Sequence, residues 1–185
     1  MKGKGKRLCS LTVAFLLAVI APISAFAAWV NPFTDVNASA WYYEAVEHVN
    51  TNDLFSGTST NKFSPEMPMS RGMFVTVLGK FHGVDTGKYP IISFTDVKGS
   101  DYYAPYVEWA AENDVVSGVG GGKFAPNSSI TREQMATIFY KYAQLVGADT
   151  TSDSTKLWNF PDGTKVSEYA QQAMAWAVTH GVLAG

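Results

Sequence analysis

Residues 33–81 recur as residues 94–142 at a constant offset of 61, without a gap and with 18 identities in the 49 positions. Among them are Phe33/Phe94, Asp35/Asp96, Glu47/Glu108, Gly57/Gly118, Lys62/Lys123, Phe63/Phe124 and Arg71/Arg132. A third copy opens at Phe160-Pro161-Asp162. After one extra residue it follows the second at an offset of 67 as far as Gly185, the counterpart of Gly57 and Gly118. Only the first half of that copy lies within the 185 residues. A unit of this length cannot bury its apolar face alone, so the copies must pack on one another.

Each complete copy reads as helix, loop, helix. The first helix carries apolar residues at i, i+3, i+4 and i+7: Tyr42, Ala45, Val46, Val49; then Tyr103, Tyr106, Val107, Ala110; then Ala170, Ala173, Met174, Ala177. The second helix repeats the pattern with Phe74, Val77, Leu78, Phe81 and with Met135, Ile138, Phe139, Tyr142. Thr131 and Gln134 form a capping box, Ser70 is the matching cap, and Gly83 and Gly147 stand where a left-handed residue closes a helix. The expected organisation is all-α: unit one over 28–84, unit two over 93–147, a polar linker over 148–157 and a partial unit three over 158–185. The run Asp149-Thr150-Thr151-Ser152-Asp153-Ser154-Thr155 is polar enough to be mobile.

Ahead of the repeats, residues 1–27 hold Lys2, Lys4, Lys6 and Arg7, an uncharged apolar run from Leu8 to Ile20, Pro22 and the small-residue site Ala25-Phe26-Ala27. This is the plan of a cleaved secretory signal; Pro22 and the small residues argue against an uncleaved membrane anchor. The remaining chain carries 10 basic and 16 acidic residues (14 − 4 and 16 − 0), a net charge of −6, and offers no broad cationic surface to nucleic acid. Cys9, the single cysteine, lies in the signal, so disulfides, thiolate catalysis and cysteine-bound metal are excluded from the rest.

After the signal only Arg71 and Arg132 remain as arginines, each directly following a hydroxyl cap, Ser70 or Thr131. A fixed cation in the first turn of a helix costs roughly 0.3–1 kcal/mol against the macrodipole unless an anion is near. That anion is either a carboxylate of the chain itself (Asp35, Asp96, Asp162 or Glu133) or a ligand carboxylate or phosphate shared with the helix amides. Trp41, Tyr102 and Tyr169 occupy one repeat position at the start of the first helix, where a ring either packs or stacks on a sugar. His48, His82 and His180 share no repeat position and give no zinc spacing. The glycine run before Lys123 lacks the spacing and the Ser or Thr of a phosphate-binding loop. Asp35, Asp96 and Asp162 stand one per unit in matching surroundings, which suits hydrogen bonding rather than the differently tuned pair a glycosidase needs. No catalytic residue, cofactor or metal site is read from the sequence.

Taken in order, these motifs resemble the S-layer homology (SLH) repeats of bacterial surface proteins. They are Phe-x-Asp-Val, the aromatic eight residues on, the x-x-Ser-Gly turn, Lys-Phe-x-Pro and Ile130-Thr131-Arg132-Glu133-Gln134. The resemblance covers about 33–185; copy one departs from it at Gly72, after the arginine. It implies tandem units packed as a pseudo-threefold bundle with the third incomplete. It also implies a non-catalytic anchor at the cell surface, in the cell wall or S-layer. Its partner would be an anionic, often pyruvylated, secondary cell-wall polysaccharide linked to peptidoglycan, with lattice neighbours as further partners. On that basis Arg71 and Arg132 grip the acidic substituent and Ser70 and Thr131 assist, while Asp35, Asp96, Trp41, Tyr102, Gly57 and Gly118 shape the grooves. Two other readings stay open: the anchoring end of a wall-active hydrolase whose catalytic domain lies beyond Gly185, and a protein-to-protein docking repeat.

Overall fold

Local signals set each element. The computed structural model describes residues 29–184 and divides the chain into Met1–Val30 and Asn31–Gly185, the second of which is described below. The signal expected over residues 1–27 lies outside the described residues. Among these the chain is helical, with no named strand: α1 Tyr43–Thr51, α2 Arg71–His82, α3 Ala104–Glu112, α4 Arg132–Leu145 and α5 Gln171–Thr179. Short 3-10 turns occur at Thr86–Lys88, Ser154–Asn159, Gly163–Lys165 and Glu168–Ala170.

The caps fall where the sequence puts them. Ser70 Oγ accepts from Met73 N at 3.2 Å, and Thr131 with Gln134 closes a full capping box. Gly83 (φ 77°) and Gly147 (φ 69°) take the left-handed conformation after α2 and α4. All three first helices end alike. Leu54 and Phe55 donate to Val49 O, Val115 and Val116 to Ala110 O, and Val182 and Leu183 to Ala177 O. The preceding Asp53, Asp114 and Gly181 all adopt positive φ. The first helix of unit three therefore ends as the other two do, although 3-10 turns lead into it where none lead into α1 or α3.

α2 packs on α3, and α4 on α5. The α2–α3 contact needs small residues: a Cβ at Gly79 would stand 2.5 Å from Tyr106 Cδ1, and one at Gly72 would stand 3.0 Å from Tyr103 Cδ1. Glycine inside a helix costs about 1 kcal/mol relative to alanine, which the ring packing offsets. Val75, Val107, Val115 and Phe124 are the largest fully buried side chains. A smaller apolar cluster, with Ala136, Ala143, Ala173, Trp176 and Ala177, joins α4 to α5.

The units are also stitched by backbone. Arg71 N donates to Ser128 O, Gly72 N to Pro126 O and Ile130 N to Met69 O, each at 2.9 Å. Two first-turn amides of α2, which no helical carbonyl can reach, thus find partners in the next unit. The polar segment expected to be mobile is tied down instead. Trp176 Nε1 donates to Asp149 O, Asp153 N donates to Thr179 Oγ1, and His180 Nε2 lies 2.9 Å from Thr151 O. The segment's bonded atoms are main-chain ones, while its polar side chains stay exposed or bond within the segment.

Candidate functional site

In each complete unit an aspartate closes the loop between the helices. Asp35 accepts from the amides of Phe63 and Ser64, both at 2.9 Å, and Asp96 from those of Phe124 and Ala125, both at 2.8 Å. Ser64 and Ala125 sit at φ 60° and 58°, a strained loop that the two-armed carboxylate holds in place. The Phe63 amide is the main cause holding the Asp35 carboxyl below its usual range. For Asp96, burial pushes upward, but the Phe124 and Ala125 amides outweigh it and its pKa is also lowered. Both aspartates are scaffold beneath the site. Gly57 and Gly118 are needed for close approach: a Cβ would stand 2.5 Å from Lys62 O at the first and 2.6 Å from Lys123 O at the second.

The two arginines differ. Arg71 is 5% exposed. Its Nε donates to Phe124 O at 2.9 Å, Nη1 to Gln134 Oε1 at 3.2 Å and Nη2 to Ser117 O at 3.3 Å, while the guanidinium lies 4.6 Å over the Phe124 ring. Burial lowers its pKa, and Tyr169 and Asp96 pull the other way. Arg132 is exposed, and its one side-chain bond among the described residues runs from Nη2 to Ala184 O at 2.9 Å. Ala184 is the counterpart of Ser117. Neither guanidinium forms an ion pair among the described residues, where Lys88–Asp85 is the salt bridge found. The internal salt bridge weighed from the sequence is replaced by neutral acceptors, chiefly main-chain carbonyls of the next unit's turn.

Two grooves share a plan. The first, about 680 Å³, runs between Ser56-Gly57-Thr58, α2 residues Met73, Thr76 and Lys80, and Tyr102 of the next unit. The second, about 290 Å³, runs between Ser117, α4 residues Gln134, Thr137 and Lys141, and Tyr169, with Arg71 at its base. Serine, threonine, lysine and tyrosine correspond position by position, while Met73 faces one groove and Gln134 the other. Lys141 Nζ reaches Ser117 Oγ at 3.3 Å, and Lys80 Nζ reaches Asp53 O at 3.1 Å. These half-buried lysines went unremarked in the sequence, although Lys80/Lys141 is one of its 18 identities.

The aromatic position faces outward: Trp41 is 93% exposed, Tyr102 60% and Tyr169 59%. Each of the first two rests edge-on against its neighbouring tyrosine, Tyr42 or Tyr103. Tyr169 Oη donates to Glu133 Oε2 at 3.4 Å, and Ser167 N to Glu133 Oε1 at 2.9 Å. Ser70 and Thr131 spend their hydroxyls as caps. The structure thus gathers Gly57 with Tyr102, and Arg71 beside Ser117 and Tyr169, but leaves Arg132 outside both grooves. No group of three or more His, Cys, Asp or Glu able to hold a metal occurs among the described residues.

The S-layer homology domain model matches residues 32–72 and 93–136, each span ending just past the arginine position. The chain is an SLH domain protein. An endoglucanase of Bacillus sp. (strain KSM-635) is 30% identical over 157 residues, covering 83% of the chain and 16% of that enzyme. The Surface-layer 125 kDa protein of Lysinibacillus sphaericus is 28% identical over 153 residues, or 77% of the chain and 13% of the relative. A cellulosome-anchoring protein of Acetivibrio thermocellus is 33% identical over 88 residues, or 46% of the chain and 20% of the relative. The SLH chain thus spans a fifth or less of these relatives. SLH repeats and surface-protein relatives make it a cell-surface anchoring module located at the cell wall. Among the described residues no helix is long and apolar enough to cross a membrane.

Proposed function

We propose that this SLH module has no catalysis of its own and holds the cell wall by gripping an anionic, pyruvylated secondary polysaccharide in its grooves. The observation that carries the reading is the second groove, where a lysine ammonium, a buried guanidinium and an exposed tyrosine ring converge on one serine turn. A carboxylate-bearing sugar needs a cation for its acid and an aromatic face for its ring. Lys141 is the accessible cation; Arg71, buried and with three of its five N–H donors on Phe124, Ser117 and Gln134, positions the turn and contributes its field. The first groove offers Lys80 and Tyr102 beside Met67 and Met73, a more apolar setting suited to an uncharged, acetylated sugar of the same polymer. Arg132 is exposed, and its free donors suit the acid of a further residue of that polymer. Because the chain after residue 27 carries −6, attraction to a polyanion is local, and binding weakens as salt rises.

The test is sedimentation with purified, protein-free cell walls. Wild type pellets. Lys141→Ala and Arg132→Ala each lose about tenfold in affinity, the scale of one charge-assisted hydrogen bond, with helical content unchanged. Arg132→Lys recovers part of the loss, because a point charge replaces a fork. If wild type stays in the supernatant and instead captures a purified surface protein, the polysaccharide reading fails and the docking-repeat reading replaces it. The endoglucanase relative favours a second reading for the cargo, in which the module tethers a glycosidase; sequencing beyond Gly185 decides it.

A further inference from the structure

The two grooves hold their aromatic residue in different ways. In the first, Tyr102 rests edge-on against Tyr103, with ring centroids 5.0 Å apart. In the second, the residue after Tyr169 is the small, buried Ala170, which offers no ring. Support comes from Glu133, in the first turn of α4. Its Oε2 accepts from Tyr169 Oη at 3.4 Å and its Oε1 from Ser167 N at 2.9 Å, so one carboxylate spans the segment that carries the ring.

The repeat supplies the comparison. Tyr103 and Ala170 are counterparts, as are Gly72 and Glu133. The two exchanges go together, because a Cβ at Gly72 would already stand 3.0 Å from Tyr103 Cδ1. Where alanine replaces that ring, a long side chain after the arginine has room. Glu133 is half-buried and forms no ion pair among the described residues, so its carboxylate is committed to the Tyr169 segment. It lines the neighbouring cleft rather than the second groove, and reaches that groove through Tyr169.

We propose that Glu133 is a positioning residue of the second groove, one that fixes Tyr169 with its O–H spent on the carboxylate so that the phenol presents lone pairs alone to a ligand. Tyr102, with glycine at the matching place, has no carboxylate there to take its proton. The second groove therefore selects a sugar that offers a hydroxyl or amide N–H beside its acid. The inference rests on the reading of this groove as the glycan site and adds to it the polarity of one hydrogen bond. Burial raises the pKa of the Tyr169 phenol and Glu133 adds to the rise, while the Thr131 hydroxyl and Arg71 oppose it.

The test is a double-mutant cycle on the intact chain, read by sedimentation with purified, protein-free cell walls. A second readout, without walls, is 19F NMR of the chain carrying 3-fluorotyrosine at residue 169. Glu133→Ala loses about fivefold in wall affinity, the scale of one hydrogen bond, and Tyr169→Phe loses at least as much. The double variant loses no more than Tyr169→Phe alone, since the carboxylate acts through the phenol. Glu133→Gln recovers part of the loss, because its amide oxygen still accepts. In the 19F titration, Glu133→Ala ionises the phenol at lower pH than the parent. Equal losses from Glu133→Ala in both backgrounds would make it a fastening of Ser167 alone and overturn the proposal. A Tyr169→Phe chain that binds like wild type, or a phenol titration unmoved by Glu133→Ala, overturns it equally. A wild type that stays in the supernatant refutes the glycan reading instead, and the 19F titration then decides by itself whether Glu133 holds the ring.

Discussion

Arg71 and Arg132 are the same residue in the repeat and should fail differently. In Arg71→Ala, three hydrogen bonds from a charged donor are lost, to Phe124 O, Gln134 Oε1 and Ser117 O, together with the contact over the Phe124 ring. At about 1.5 kcal/mol per charge-assisted bond and about 1 kcal/mol for the ring, the gross loss is about 5.5 kcal/mol. Two corrections reduce it. The guanidinium no longer has to be desolvated, and water can enter the open groove to satisfy Ser117 O and Gln134, leaving Phe124 O as the buried orphan. The net expectation is a destabilisation of about 3 kcal/mol, or about 6–12 °C in Tm for a chain of this size. Arg132→Ala removes one exposed bond to Ala184 O and should cost about 0.5 kcal/mol. Urea unfolding of both variants, followed by circular dichroism and tryptophan fluorescence, measures the difference. Equal losses, or an Arg71→Ala midpoint indistinguishable from wild type, would refute the assignment of Arg71 as an interior strut.

Acid should destabilise the fold through its aspartates. Asp35, Asp96, Asp149 and Asp153 are all held below the usual 3.8, so between that value and their folded pKa values the unfolded chain binds more protons. Their contribution is complete above about pH 4 and is lost as pH falls; urea midpoints measured through this range should drop, and Asp96→Asn should flatten the fall. Tyr103 gives the opposite limb. Burial and the neighbouring Asp101 raise its pKa to about 12, so stability should decline from about pH 10 upward, where the phenol of the unfolded chain ionises first. A Tyr103→Phe variant with an unchanged alkaline limb would show the reasoning wrong. Gly79→Ala gains helix propensity but drives a methyl into Tyr106; a net loss of about 1–2 kcal/mol is expected in the same unfolding assay.

Much of the fold was legible because the repeat supplies its own controls. The five helices, the two hydroxyl caps and the left-handed glycines follow from spacing and residue type at positions 70, 83, 131 and 147. The site was legible in outline only. Offset 61 pairs Arg71 with Arg132, yet one has a complete unit to enter and the other a partial one; burial depends on what stands opposite, which local pattern does not encode. Lys80 and Lys141 were visible as an identity but look like ordinary exposed helix lysines until Tyr102 and Tyr169 are seen across the groove. The Asp149–Asp153 stretch shows the same limit: its main-chain atoms are bonded to α5 and His180, and composition, which reads side chains, does not distinguish a solvated stretch of chain from a fastened one.

The stitches between Met69–Gly72 and Pro126–Ile130, with Arg71 driven through them, bear on what an anchor endures. The two segments run antiparallel with Met69 opposite Ile130, so tension from the flanking chain reaches the seam at one end and opens its main-chain bonds in order, Ile130–Met69 first. The last fastening is then Arg71, whose buried guanidinium must leave three acceptors of the next unit before the two units part.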